Sequence, residues 1–290
     1  MFGVTALTGA LVKMKQDPST FIDENQDPGL HRKPIEYRPN NLFAPKYLWV
    51  RDKPDNRDYR YSVTNLKQSN TVDLRPQCST IEDQGNLGSC TGNAIAGAIE
   101  LLNKRENRTL EISRLFIYYF ERLFIGTVNY DSGAYIRDGI KACYTYGASQ
   151  ESLWPYIIRK FRMQPSKPAL TDGQQRKITL YQRIENHQGC LDALSNGYPV
   201  IIGFDVYSSF QSSKVARTGV MPYPNIKKEK LLGGHAVLLV GYDKVRQVYI
   251  ARNSWGTRWG DKGYFYMPFQ VIQNQTMSGD FWIIKSVNNP

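Results

Sequence analysis

Asp83-Gln84-Gly85-Asn86-Leu87-Gly88-Ser89-Cys90-Thr91 sets a cysteine where a helix is predicted to begin. From Ala94 onward apolar residues recur at helical spacing (Ile95, Ala98, Ile99, Leu102), and Gly85 and Gly88 permit a tight turn just before them. A thiol at a helix N-terminus faces unpaired backbone N–H groups and the positive end of the dipole, which favours the thiolate. Gln84, upstream in the same loop, carries an amide able to donate to a developing oxyanion. One short loop thus offers a nucleophile and an oxyanion donor. A buried helical cysteine after a glycine-rich turn is the plainer alternative.

A cysteine nucleophile needs a base, and the chain has 3 histidines. His31 and His187 stand in polar, loop-like surroundings and read as surface residues. His235 follows Gly233-Gly234 and enters the run Ala236-Val237-Leu238-Leu239-Val240, which reads as a buried strand. The next segment, Ala251-Arg252-Asn253-Ser254-Trp255-Gly256-Thr257-Arg258-Trp259-Gly260, supplies an Asn that can accept from the imidazole N–H. Its two Trp residues can shield that bond. A third group orienting the base is the general logic of activated nucleophiles.

Together Cys90, His235 and Asn253 resemble the Cys-His-Asn set of the papain-like (C1) cysteine peptidases. In that family His and Asn follow the Cys by about 130–150 residues. Here the separations are 235 − 90 = 145 and 253 − 90 = 163, so the Asn overshoots a little. Gln84, Cys90, Gly-Gly-His235 and Asn253-Ser-Trp-Gly stand in the family's chain order, and the resemblance runs from about Asp73 to the C-terminus. It takes in Ser152-Leu153-Trp154-Pro155-Tyr156 and Gly263-Tyr264-Phe265. Two departures stand out. Leu87 replaces a cysteine that usually forms a disulfide, and Thr91 replaces the aromatic after the nucleophile. The Gly-Ser-Cys-Thr motif, Asp52 to Asp58, Met267-Pro268 and Asp280-Phe281-Trp282 are similar to a bacterial and large-virus branch of the family rather than to the lysosomal cathepsins.

With 290 residues the chain has ample length for a core. Its charge, 37 − 26 = +11, is dispersed, and no basic cluster with interleaved aromatics marks a nucleic-acid groove, so no nucleic-acid partner is expected. No apolar run reaches the length of a membrane span, so no stable membrane insertion is expected. Val4 to Val12 lacks the basic flank and cleavage site of a signal peptide, which favours an intracellular or virion-associated location over a secreted or lysosome-like one. Beside Cys90, the cysteines Cys78, Cys143 and Cys190 allow at most one bridge, in three ways. No Cys/His cluster has zinc spacing, and neither metal nor cofactor is expected.

Residues 1–70 are rich in Pro, Asn, Asp and Arg and read as an N-terminal extension or prosegment without a core. The long helical pattern of the family's usual inhibitory prosegment is missing, but Leu42 to Tyr61 is the stretch best suited to lie in the cleft as an intramolecular inhibitor. A permanent strap across the catalytic lobes is the alternative, and cleavage near Ser69 to Thr71 is expected to raise activity if the segment inhibits. Residues 71–290 read as the catalytic domain. Helical patterns fill about 71–177: the Cys90 helix, Ser113 to Phe124 capped by Ser113, and Ala134 to Tyr146 closed by Gly147. Strand patterns fill about 178–290: Val200 to Phe204, His235 to Tyr242, Val248 to Ala251 and Tyr264 to Tyr266. Helices first and strands later imply an α+β protein. The resemblance implies a two-lobed papain-like fold, with a helical lobe, a barrel-like sheet lobe and the site in the cleft between them.

The expected function is cysteine-type endopeptidase activity on protein or peptide substrates, through a thioester acyl-enzyme. Its catalytic residues are Cys90, His235, Asn253 and Gln84, and the resemblance adds Gly133, Gly234 and Trp255 as substrate-binding residues. A catalytically inactive papain-like binding protein and an acyl transferase or transpeptidase with the same triad are the alternatives.

Overall fold

The computed structural model describes residues 47–64 and 68–289. Val4 to Val12, His31 and the first residues of the Leu42 to Tyr61 stretch lie outside them. The helical lobe is built on three helices: α1 (Cys90–Arg105), α2 (Arg114–Phe124) and α3 (Ile136–Thr145). Ser113 caps α2 by accepting from the Phe116 N–H at 3.1 Å, as its sequence predicts. The helix predicted from Ala134 instead begins at Ile136, because Ala134 and Tyr135 form a short strand, β3. Its partner is β1 (Trp49–Val50), which runs parallel to it.

Short strand β2 (Thr71–Asp73) leads into the catalytic domain, and α4 (Lys167–Gln175) completes the helical lobe. The sheet lobe holds β4 (Ile178–Ile184), β5 (Val200–Tyr207), β6 (Leu231–Asp243), β7 (Val248–Arg252), β8 (Tyr264–Pro268) and β9 (Ser278–Val287). Short helices α5 (His187–Ser195), α6 (Ser213–Thr218) and α7 (Phe269–Gln273) flank it. Strand order is β4-β9-β5-β6-β7-β8, with β2 added to β6. The architecture is the expected α+β, but the sheet lobe is an open sheet and not a closed barrel, since β4 and β8 stand at opposite ends of the order.

Two hydrophobic clusters underlie the two lobes. Leu87, Leu115, Phe116, Tyr118, Phe120, Trp154 and their neighbours fill the helical lobe. The larger cluster takes Ile95 and Ile99 of α1 together with Val200, Ile202, Leu238, Phe265 and Trp282 of the sheet. α1 belongs to both lobes and is buried along almost its whole length, so it is a central helix rather than an amphipathic surface one. Small residues on α1 let the sheet approach: a Cβ at Gly97 would stand 3.4 Å from Leu238 Cδ2. The four cysteines are all free and buried, and burial raises the thiol pKa at Cys78, Cys143 and Cys190. The one bridge the count allowed is not formed.

The segment before the catalytic domain is more than an extension without a core. Tyr47, Trp49 and Asp52 are buried, and the Asp52 carboxylate accepts from Trp282 Nε1 at 2.9 Å and from the Arg137 N–H at 3.2 Å. Arg137 and Arg183 both grip Asp58, at 2.6 and 3.0 Å. Further along, Tyr61 pairs with the Arg183 backbone, and its hydroxyl donates to Asp192 at 2.8 Å. Residues 47–64 therefore form a strap from the cleft to the edge strand β4 and to α5. Among the described residues no helix is long and apolar enough to cross a membrane.

Candidate active site

Cys90 opens α1, and the preceding Ser89 makes no side-chain cap bond, so the first-turn N–H groups face the thiol's surroundings without a competing cap. The loop before it is held from both lobes. Gln84 is fully buried; its backbone N–H donates to Ser254 O at 2.8 Å, and its Oε1 accepts from Ser254 Oγ at 2.5 Å. Gln84 Nε2 donates to Leu87 O at 2.9 Å, while the Tyr156 hydroxyl donates to Gln84 O at 2.9 Å. Asp131 accepts from the Gly88 N–H at 3.0 Å. The turn cannot shift without breaking bonds to three separate segments.

On the sheet side, His235 lies in β6, and its Nε2 stands 2.8 Å from Asn253 Oδ1, just past β7. An amide oxygen only accepts, so Nε2 carries the proton and Nδ1 is the basic nitrogen; Nδ1 makes no hydrogen bond. The indole of Trp255 stacks on the imidazole, with centroids 4.9 Å apart and planes at 28°. Trp259 stands edge-on to Trp255 at 4.9 Å. Asn253 also accepts from the Ser254 N–H at 2.9 Å, tying it to the residue that holds Gln84. The Cys90 thiol meets the backbone amide of Ala236, the residue after His235.

The strap passes directly over this group. The amide of Leu48 reaches the Cys90 thiol, Leu48 bridges Gly234, and Tyr47 packs edge-on against both His235 and Trp255. Gly133 adopts φ +70°, and a Cβ there would lie 1.8 Å from Leu48 O. Only glycine permits that approach. Gly133 and Gly234 thus line the path of an extended chain, the strap itself.

Covering the site changes its protonation. Burial pushes the Cys90 thiol up to about 12, and the Glu121 carboxyl adds to the rise against the opposing backbone amides of Ala236, Thr91 and Leu48. Burial also lowers His235 to about 4, partly opposed by Asn253. Under the strap the pair is a neutral thiol and a neutral imidazole. The thiolate expected from the helix terminus is not favoured here, because loss of water outweighs a dipole worth about 0.3–1 kcal/mol.

Sequence reading missed several contributors. Thr91 Oγ1 donates to Glu121 Oε2 at 2.7 Å, and burial raises Glu121 to about 8. Neither the Glu121 position nor the Ser254 bond to Gln84 has a local pattern. His187 is no surface residue: its Nδ1 lies 2.8 Å from the Tyr249 hydroxyl and its ring packs 4.8 Å from Phe269. It takes no part in the site.

The family model described as papain family cysteine protease matches residues 68–280. An uncharacterised peptidase C1-like protein of Acanthamoeba polyphaga mimivirus is 38% identical over 280 residues, covering 86% of this chain and 90% of that protein. Cathepsin K of Gallus gallus is 30% identical over 199 residues, covering 67% of this chain and 56% of its own length. Among solved structures, xylellain, a cysteine protease from Xylella fastidiosa, superposes with a TM-score of 0.78 at 37% identity, over 86% of this chain and 99% of that one. Procathepsin L 3 of Tenebrio molitor, at 21% identity and a TM-score of 0.62 over 79% of this chain and 75% of its own, shares the fold. The viral and bacterial relatives agree with the branch expected from sequence.

Proposed function

This chain belongs to the papain family of cysteine proteases, and we propose that it is an endopeptidase in which Cys90, His235, Asn253 and Gln84 carry the chemistry, restrained by its own N-terminal strap. The observation that carries the reading is the 2.8 Å His235–Asn253 bond beneath Trp255, which leaves Nδ1 as the base beside the residue whose amide meets the Cys90 thiol.

Once the strap lifts, water returns and the proton moves from Cys90 to His235 Nδ1, giving a thiolate–imidazolium pair. The thiolate attacks the scissile carbonyl carbon, and the oxygen takes up negative charge. The Cys90 backbone N–H and the second hydrogen of Gln84 Nε2 donate to that oxygen; loss of one such donor costs about 2.7–4 kcal/mol. Imidazolium gives its proton to the leaving amine as the C–N bond breaks, leaving a thioester. His235 then takes a proton from water, which attacks the thioester and releases Cys90. Asn253 and Trp255 keep the imidazole in the orientation both steps require.

The strap inhibits in two ways under this reading. It fills the path along Gly133 and Gly234, and it removes the water that the ion pair needs. The test is labelling of Cys90 by a thiol-directed epoxide, in the full chain and after proteolytic removal of the strap, followed by mass spectrometry alongside peptide hydrolysis. Labelling and hydrolysis should rise together on removal. Rapid labelling of the intact chain with no gain on removal would reject the inhibitory role, and hydrolysis that survives full labelling would reject Cys90 as nucleophile.

A further inference from the structure

Resting on that peptidase reading, we propose that Glu121, buried in the helical lobe, is a positioning residue for Cys90. In its uncharged form it holds Thr91 and the first turn of α1 against the thiol; ionised, it weakens the nucleophile.

The link runs through two hydrogen bonds. Thr91 is the second residue of α1; its backbone amide meets the Cys90 thiol, and its Oγ1 donates to Glu121 Oε2 at 2.7 Å. Three backbone amides reach the thiol, those of Ala236, Thr91 and Leu48. Leu48 belongs to the strap, so only Ala236 and Thr91 stay once the strap lifts. Thr91 is then one of two fixed donors to the thiolate, and its anchor on Glu121 sets how that donor points.

Packing alone does not account for Glu121. Its side chain is fully buried on α2, bonded to α1 and lying against α3. A carboxyl is seldom buried so completely without a charge partner. Among the described residues its Oε1 has no hydrogen-bond partner, and a Cβ at Gly139 would stand 2.3 Å from it, so α3 carries a glycine where the carboxyl sits. Arg122, next along α2, directs its guanidinium to the carbonyls of Tyr118, Val128, Tyr130 and Phe161. From α3 come Asp138 and the Cys143 thiol, and from α1 the Cys90 thiol.

A carboxylate in this place would have a donor on Oε2, none on Oε1 and a second acid for a neighbour. An unpaired buried acceptor is costly, and more so when charged. The neutral acid is therefore the resting form, and burial raises it to about 8. Ionisation puts a negative charge behind Thr91, where it opposes both the thiolate and the oxyanion formed after attack. His235 is shifted by burial and by Asn253 and not by Glu121, so the charge acts on the nucleophile rather than on the base.

The experiment starts from the full chain, activated by removal of the strap, and follows kcat and KM against pH. Titration at Cys90 counts folded sites only, so a loss of stability does not enter kcat. Glu121→Gln keeps an acceptor for Thr91 but cannot ionise. The ratio of its kcat to that of wild type should rise about tenfold from one pH unit below to one above the wild-type acid's value of about 8. His235 titrates in both proteins, so its share cancels in the ratio. Thr91→Val removes the hydroxyl at similar volume and should lower kcat about fivefold, the worth of one ordinary hydrogen bond, with KM unchanged; Thr91→Ser should restore it. A purely structural Glu121 gives a ratio flat in pH. That result, or a Thr91→Val enzyme with wild-type kcat, overturns the proposal. If no peptide is cleaved, the peptidase reading fails, and the rate of Cys90 alkylation is read instead. Glu121→Gln should then gain on wild type as pH rises through that same value, and an unchanging ratio overturns the proposal.

Discussion

The rings of Tyr47 and His235 meet edge to face, with centroids 6.0 Å apart and planes at 83°. A residue of the N-terminal strap thus occupies the space through which water would reach the imidazole. Tyr47 is fixed there by a second contact, its hydroxyl accepting from Gln211 Nε2 at 2.7 Å. His235 is covered by Tyr47 and Cys90 by Leu48, two neighbouring residues, so the two coverings begin and end together.

Trp49→Ala in the full chain should loosen the strap. Truncating a buried Trp typically costs about 3–5 kcal/mol, and here the bond to Asp280 is lost as well. Alkylation of Cys90 by a small reagent should accelerate at least tenfold, without a comparable fall in the melting temperature of the catalytic domain. An unchanged alkylation rate would mean the strap is held elsewhere, by Asp58 and Tyr61.

The strap should respond to pH through opposing groups. His235 is depressed to about 4 when covered, so its contribution to closure is full above its uncovered value and is lost as pH falls toward 4. Asp52 is raised by burial and then by neighbouring Asp280. Its contribution is full below the ordinary carboxylate value of about 3.9 and is lost as pH rises through the raised value. The two oppose each other in acid, while at higher pH the raised carboxyl and the raised Cys90 thiol both favour opening, so the wild-type strap should loosen on the alkaline side. Asp52→Asn removes the carboxyl's share of that alkaline loosening, so loosening in acid from His235 should emerge. Hydrogen exchange at residues 47–52, corrected for intrinsic rates, distinguishes these profiles.

Cys90→Ala should abolish peptide hydrolysis with the fold intact, whereas Cys143→Ser should leave the activated enzyme's turnover per folded molecule unchanged. Cys143 is buried and packs in the core, so its polar replacement should lower stability by about 1–3 kcal/mol. Circular dichroism melts with active-site titration separate the effects. A Cys143→Ser enzyme that is folded but inactive would contradict the division of roles.

Within the site, His235→Ala should be about as damaging as Cys90→Ala, and Asn253→Ala milder, since it orients but does not react. Gln84→Ala should lower kcat about 10²–10³-fold with little change in KM. Because Gln84 also accepts from Ser254 Oγ, its loss should lower stability as well. A Gln84→Ala enzyme with only a raised KM would remove that side chain from the oxyanion hole.

The residues proposed to carry the chemistry stood out in the sequence because their surroundings are local: a glycine-rich turn before a helix, and glycines before a buried strand. Helix α2 was legible from its Ser113 cap. The strap was not, since β1 has two residues and makes its bonds to partners 85 positions away, such as Trp49 to Ala134. No periodicity develops over so short an element. Helix α5 was missed although Asn186 Oδ1 caps it at 3.0 Å, because its sequence carries polar residues that read as loop. Glu121 was unreadable because it is a carboxyl side chain buried between α2 and α1, where the pattern predicts an apolar residue. The helix predicted from Ala134 starts two residues later for the same reason as β1 was missed: Ala134 and Tyr135 are taken by β3, whose partner lies far off in sequence.

Strand β2 fixes the junction between strap and catalytic domain at the far end of β6, where Thr71 pairs with Asp243 and the Tyr242 hydroxyl donates to Ser69 O at 3.1 Å. From His235 to Asp243 is 243 − 235 = 8 residues along one strand, or about 26 Å at about 3.3 Å per residue. A molecule whose β2 is paired cannot bring its own residues 69–71 to its own Cys90. If this chain's own site cuts that junction, the cut is expected to be an encounter between two molecules, with a rate that rises with protein concentration.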